Sequence, residues 1–84
     1  MYKVLVKRSV EKHLAKIPKR DADRIDKVIL DLSSNPYPHQ CKELYAKPKT
    51  YRIRQGDYRI LYTVDDDREE IIIYRVKHRK EVYR

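Results

Sequence analysis

The chain has 84 residues, a net charge of +8 and a pI near 9.7, with 40% hydrophobic and 40% charged residues. A chain this short is read as a single domain, 1–84, whose one modest core buries only about 60% of the surface its unfolded form exposes. One cysteine excludes an internal disulfide. No apolar run approaches the ~18 residues of a membrane span and no signal-peptide pattern opens the chain, which together predict a cytoplasmic protein without membrane association.

Residues 2–7 (YKVLVK) alternate apolar and polar side chains and predict a first strand. Ser9 is placed to cap a helix over residues 10–17 with Val10, Leu14 and Ile17 on one face, and Pro18 closes it. A longer helix is predicted from Lys19 to Ser34. Ala22, Ile25, Val28, Ile29 and Leu32 form its apolar stripe, and Arg20, Asp23, Arg24, Asp26, Lys27 and Asp31 lie opposite. Asn35-Pro36 ends it, and a loop containing Pro36, Pro38 and Pro48 follows.

The period then changes to two. Tyr51–Gln55 and Tyr58–Asp65 alternate around Gly56-Asp57, and glycine at the first of two turn positions suits a type II′ hairpin. After a polar break at residues 65–68, Ile71–Lys77 is apolar on both faces and predicts a central strand. Leu61, Tyr74 and Val76 are assigned to the sheet face away from the helices, where an amphipathic partner helix could lie, although ordinary core or central-strand packing is the favoured account of them. The order of elements predicts an α+β fold: a small antiparallel sheet with an N-terminal strand and two helices packed on one face, β-α-α-β-β-β.

A two-residue turn pairs Gln55 with Tyr58, Arg54 with Arg59, Ile53 with Ile60 and Arg52 with Leu61. Paired residues share a face, so Tyr51, Ile53, Ile60 and Tyr62 point toward the helices, and Arg52, Arg54 and Arg59 point away. Three guanidiniums this close repel one another unless an anion sits among them, which argues for a phosphate site. The competing reading is a basic outer face that only solubilises the sheet. A +8 charge also draws polyanions generally, nucleic acid first and acidic proteins second. The tail adds Lys77, His78, Arg79, Lys80, Tyr83 and Arg84. His78 lies in a strongly basic setting and is a candidate proton acceptor. His13 and His39 read as surface residues. Three scattered histidines and one cysteine form no metal-ligand pattern, and no paired acids mark the basic face, so neither a metal nor another cofactor is expected. Eight tyrosines, with no Phe or Trp, can fill a core and can also stack on bases.

The segments YRIRQGDYRILYTV and IIIYRVKHRKEVYR resemble the C-terminal half of the RelE toxins of the RelE/ParE superfamily, and length, charge and element order extend the resemblance over essentially the whole chain. The resemblance implies a toxin of a type II toxin–antitoxin system that enters the ribosomal A site and cuts messenger RNA by 2′-hydroxyl attack, leaving a cyclic phosphate. It implies contacts with 16S ribosomal RNA and inhibition by an acidic RelB-like antitoxin, with DNA reached only through the antitoxin complex. By position, Arg52 and Arg54 match two basic strand positions, the second being where the family's proposed general base lies. Arg59 matches the arginine that stabilises the transition state, Arg79 best matches the proposed general acid, with Lys77 as the alternative because the family segment there varies in length, and Tyr83 matches the tyrosine that orients the substrate. Lys77, Lys80 and Arg84 join Arg52 as phosphate-binding candidates. Arginine at position 54 departs from the family pattern, because a guanidinium is a poor base; His78 or Tyr83 then takes over, or cleavage relies on positioning and charge. Three alternatives stay open: a ParE-type gyrase inhibitor, a non-catalytic RNA-binding module, and an inactive toxin kept as co-repressor.

Overall fold

The computed structural model describes residues 1–44 and 49–82. Strand β1 (Lys3–Val6) leads into helices α1 (Arg8–Leu14) and α2 (Lys19–Asp31); strands β2 (Cys41–Leu44), β3 (Thr50–Gln55), β4 (Tyr58–Asp65) and β5 (Glu70–His78) follow, and a short helix α3 (Arg79–Val82) closes the described chain. The sheet order is β1-β5-β4-β3-β2. The α+β class is as expected, but the sheet is mixed: β1 runs parallel to β5, and only the other neighbours are antiparallel. The helical pair carries the chain from one edge of the sheet to the other, so β1 ends beside the last strand and points the same way.

Apolar residues at helical spacing on α2 and at period two on the strands meet in one core. Val10, Ile17, Ile25, Ile29 and Leu32 pack against Tyr51, Ile53, Tyr58, Ile60, Tyr62, Ile71, Ile73 and Val76. Three local expectations are corrected. Ser9 lies inside the first turn of α1, and the capping position is Lys7, which makes no side-chain cap. Helix α2 stops at Asp31, where Leu32, Ser33 and Ser34 close tighter turns onto Ile29, Leu30 and Asp31. The short edge strand β2 was expected to be loop: its sequence CKEL has no clear period, and pairing with β3 defines it.

A bulge in β5 decides which of its residues face the core. The pairing steps from Leu61↔Arg75 to Tyr62↔Ile73, leaving Tyr74 without an opposite residue. Ile71, Ile73 and Val76 therefore all point to the helices, although 73 and 76 have opposite parity. Val76, expected on the far face, is core and only 5% exposed.

The tyrosines use their hydroxyls. Tyr62 is fully buried and donates to the Pro36 carbonyl at 2.8 Å. Tyr51 stacks on Tyr62, and Tyr37 meets Tyr51 edge-on. The Tyr2 and Tyr37 hydroxyls each donate to Asp66 at 2.7 Å, tying the N-terminus and the proline loop to the β4–β5 turn. Phenylalanine could fill the same space but could not make these bonds. The hydrogen bond to Asp66 pushes Tyr2 up to about 12, and burial followed by the same carboxylate pushes Tyr37 up.

Asp66 is itself held below its ordinary carboxylate pKa, first by Tyr2 and then by Tyr37. A lowered folded-state pKa stabilises the fold above the unfolded value of about 3.9, and this contribution disappears as pH falls through the folded-state value. Circular-dichroism melts at pH values from 5 down to 2.5 should show the melting temperature falling more steeply for the wild type than for Asp66→Asn. Parallel curves would show that the clasp does not contribute.

Candidate functional site

The β3–β4 register is the one read from the sequence: Gln55↔Tyr58, Arg54↔Arg59, Ile53↔Ile60 and Arg52↔Leu61. Gly56 holds the positive φ of 59° that the first position of a type II′ turn requires, and Asp57 keeps a negative φ. No atom lies within 4 Å of a Cβ built on Gly56, so backbone conformation alone calls for glycine there.

That register organises the sheet face opposite the helices into rungs across the strands. The first is Arg54–Arg59–Lys77 and the second Lys42–Arg52–Leu61–Arg75. A third, Leu44–Thr50–Thr63–Ile72–Leu5, is uncharged, and beyond it lie Asp65, Glu70 and Lys3. Positive charge is thus concentrated at the end of the sheet where the hairpin turns and α3 begins. Lys42 and Arg75 belong to this surface although no motif marked them. Lys42 comes from the unexpected strand β2, and Arg75 from beside the bulge.

At that end a cleft of about 260 Å³ is lined by Arg54, Gly56, Asp57, Tyr58, Arg59 and Arg79. It is smaller than the roughly 300–1,000 Å³ of pockets that enclose drug-sized molecules, and it is open enough for part of a longer chain to enter. Arg59 is only 9% exposed, and its Nε is buried with no hydrogen-bond partner among the described residues. It lies directly between Arg54 and Lys77 on the ladder, where like charges disfavour folding. A guanidinium carries only donors, so an acceptor would satisfy its hydrogen bonding and an anion its charge as well.

Arg79 is brought in by backbone geometry. Its N–H donates to the Asp57 carbonyl at 2.6 Å, and its Nη1 lies 4.0 Å from Asp57 Oδ1. The first residue of α3 is thereby docked on the hairpin turn. Asp57, read from the sequence only as a turn residue, is the one carboxylate among the described residues that line the cleft.

Of the expected site residues, the cleft therefore unites Arg54, Arg59 and Arg79. Lys77 shares Arg59's rung, and Arg52 lies one rung away. Lys80 is exposed on α3 and does not line the cleft. His78 pairs with Tyr58 and meets its ring edge-on at 5.0 Å, on the face that carries the core. Its Nδ1 accepts the Lys80 N–H at 3.1 Å. Tyr83 and Arg84 lie outside the described residues.

Comparisons with known proteins agree on the family. The model of the ParE toxin of type II toxin–antitoxin systems, parDE, matches residues 4–83. Toxin RelE1 of Methanocaldococcus jannaschii is 29% identical over 86 aligned positions, covering 99% of this chain and 96% of that protein. Toxin RelG of Mycobacterium tuberculosis is 46% identical over a 35-residue stretch, 42% of this chain and 40% of that protein. Among solved structures, the archaeal RelE–RelB complex from Pyrococcus horikoshii superimposes with a TM-score of 0.85 at 30% identity, covering 93% of this chain and 94% of that one. With the fold, the register and the matched residues in agreement, the chain belongs to the RelE/ParE superfamily of type II toxin–antitoxin toxins, as a RelE-type member.

Proposed function

We propose that the chain is an mRNA interferase: a cytoplasmic, ribosome-dependent endonuclease that cuts messenger RNA in the A site by metal-independent attack of a 2′-hydroxyl. The observation that carries this reading is Arg59, a nearly buried cation between Arg54 and Lys77, with an unpartnered Nε and Arg79 lining the same cleft. Burying such a group without a partner opposes folding, so its presence argues for an anion that arrives with the substrate. An RNA phosphate fits, and guanidiniums directed at it stabilise the extra negative charge of the phosphorane more than that of the ground state. Arg52, Lys77, Lys42 and Arg75 continue the basic surface for the flanking backbone and the ribosomal RNA.

The +8 charge also suits an acidic RelB-like antitoxin, and the related archaeal toxin was crystallised with RelB. A second reading, a ParE-type gyrase inhibitor, is favoured by the description of the matching family model. It gives the nearly buried Arg59 no chemical task.

Primer extension on messenger RNA in a reconstituted translation reaction should show cuts at A-site codons that require ribosomes. Removing a transition-state donor lowers rates by about 10²–10³-fold, so Arg59→Ala should lose the cuts. Intact RNA together with blocked DNA supercoiling would replace this reading with the gyrase one. Stability offers an independent check. An unsatisfied buried donor costs about 1–3 kcal/mol, so urea denaturation should find Arg59→Met more stable by about that amount. Inorganic phosphate should raise the melting temperature of the wild type and not that of Arg59→Met. A less stable Arg59→Met would mean that the guanidinium is already satisfied within the fold.

A further inference from the structure

The cleft holds positive charge, but its arginines cannot accept a proton. The side chains of Arg54, Arg59 and Arg79 can only donate, because a guanidinium has no acceptor lone pair. His78, the only histidine in the tail, faces the core side of the sheet, and its Nδ1 is already occupied by the Lys80 N–H. Tyr58 also lines the cleft, but its ring belongs to the core, where it is 8% exposed and meets His78 edge-on. Among the described residues that line the cleft, Asp57 is the one whose side chain offers carboxylate oxygens as acceptors.

Asp57 is also accessible. Its side chain is 65% exposed, and its ion pair with Arg79, itself 67% exposed, is at the 4.0 Å limit of such contacts. A pair this long in water holds its partners weakly, so the carboxylate can turn to a substrate hydroxyl without breaking a buried interaction. Its backbone, by contrast, is fixed. It occupies the second position of the hairpin turn, between the rung of Arg54 and Arg59 and the start of α3. Asp57 and Arg59 line the same cleft, so one bound phosphodiester would meet both the guanidinium and this carboxylate.

We infer that Asp57 is the proton acceptor of the cleavage step; the inference rests on the nuclease reading above. The Asp57 carboxylate takes the 2′-hydroxyl proton as the 2′-oxygen bonds to phosphorus. The P–O5′ bond breaks with its electron pair moving to the 5′-oxygen, which takes a proton from bulk water. The products are a 2′,3′-cyclic phosphate and a 5′-hydroxyl, and Asp57 returns its proton to solvent. No oxidant, metal or co-reactant is needed. General base catalysis of this kind is worth about 10²–10⁴-fold.

The test measures single-turnover cleavage by the full chain on programmed ribosomes. Asp57→Asn keeps the shape and the turn preference of aspartate, so folding should be retained, which a melt verifies. The cleavage rate should fall by about 10²–10⁴-fold, with the toxin concentration giving half-maximal rate little changed, because the arginine row is intact. Asp57→Glu should recover part of the loss. Asp57→Ala should be rescued by added formate or acetate in proportion to concentration, with the more basic acetate acting faster. A structural hold on Arg79 would not respond to a free carboxylate. If the wild type cleaves and Asp57→Asn cleaves within a few-fold of it, the inference falls and the nuclease reading stands. If Asp57→Asn is slow but no carboxylate rescues Asp57→Ala, Asp57 only holds Arg79 and the inference also falls. A wild type that leaves RNA intact removes the nuclease reading, and the inference with it.

Discussion

The two-residue reversal at Gly56–Asp57 constrains everything at the basic end of the sheet. With Gly56 at a φ of 59°, β4 returns along β3 with no slack, and Arg54 must face Arg59. A shift of one residue would send the arginines into the core and the isoleucines to solvent. The same turn offers its carbonyl to the N–H of Arg79, so it also sets where α3 begins. One glycine thus determines the geometry of both the strand and the tail contributions to the cleft.

The basic rung is placed against the preferences of folding. Like charges face one another across two ladders, and the central one is almost buried. The rest of the domain offsets this. Ile53 and Ile60, directly behind the rung, are completely buried, and Tyr51 stacks on Tyr62 beside them, with Tyr37 edge-on to Tyr51. The Asp66 clasp joins three segments distant in sequence at the opposite end of the sheet from the cations. Stability and charge are therefore separated along the strands, with rigid tyrosine packing at one end and an electrostatically unsatisfied surface at the other. Such a surface is poised to bind a polyanion because it has not been neutralised internally.

Much of this was legible in the residues. Alternation fixed the strand faces of Tyr51, Arg52, Ile53 and Arg54, and the Gly-Asp pair set their partners, so the arginine face followed without coordinates. The stripe Ile25–Ile29–Leu32 likewise announced the helical side of the core. Strand β2 was not legible, because Cys41–Leu44 becomes a strand only by pairing with β3. The bulge at Tyr74 was not legible either. An uninterrupted period of two places Val76 with Tyr74 and Ile72, whereas the extra residue turns Val76 and His78 toward the core side.

By itself, then, the sequence determined the α+β class, the hairpin register, the basic face and the family resemblance, because each depends on short-range periodicity, turn chemistry or residue identity. The tertiary structure decided the parallel pairing of β1 with β5, the isolation of Arg59 and the approach of Arg79 to Asp57. Each of these joins segments far apart in the chain or depends on how much solvent the neighbours exclude, and neither property is written in local pattern. Asp57 shows the difference most plainly: locally it is a turn residue, and only the docking of α3 makes it the carboxylate of a cationic cleft.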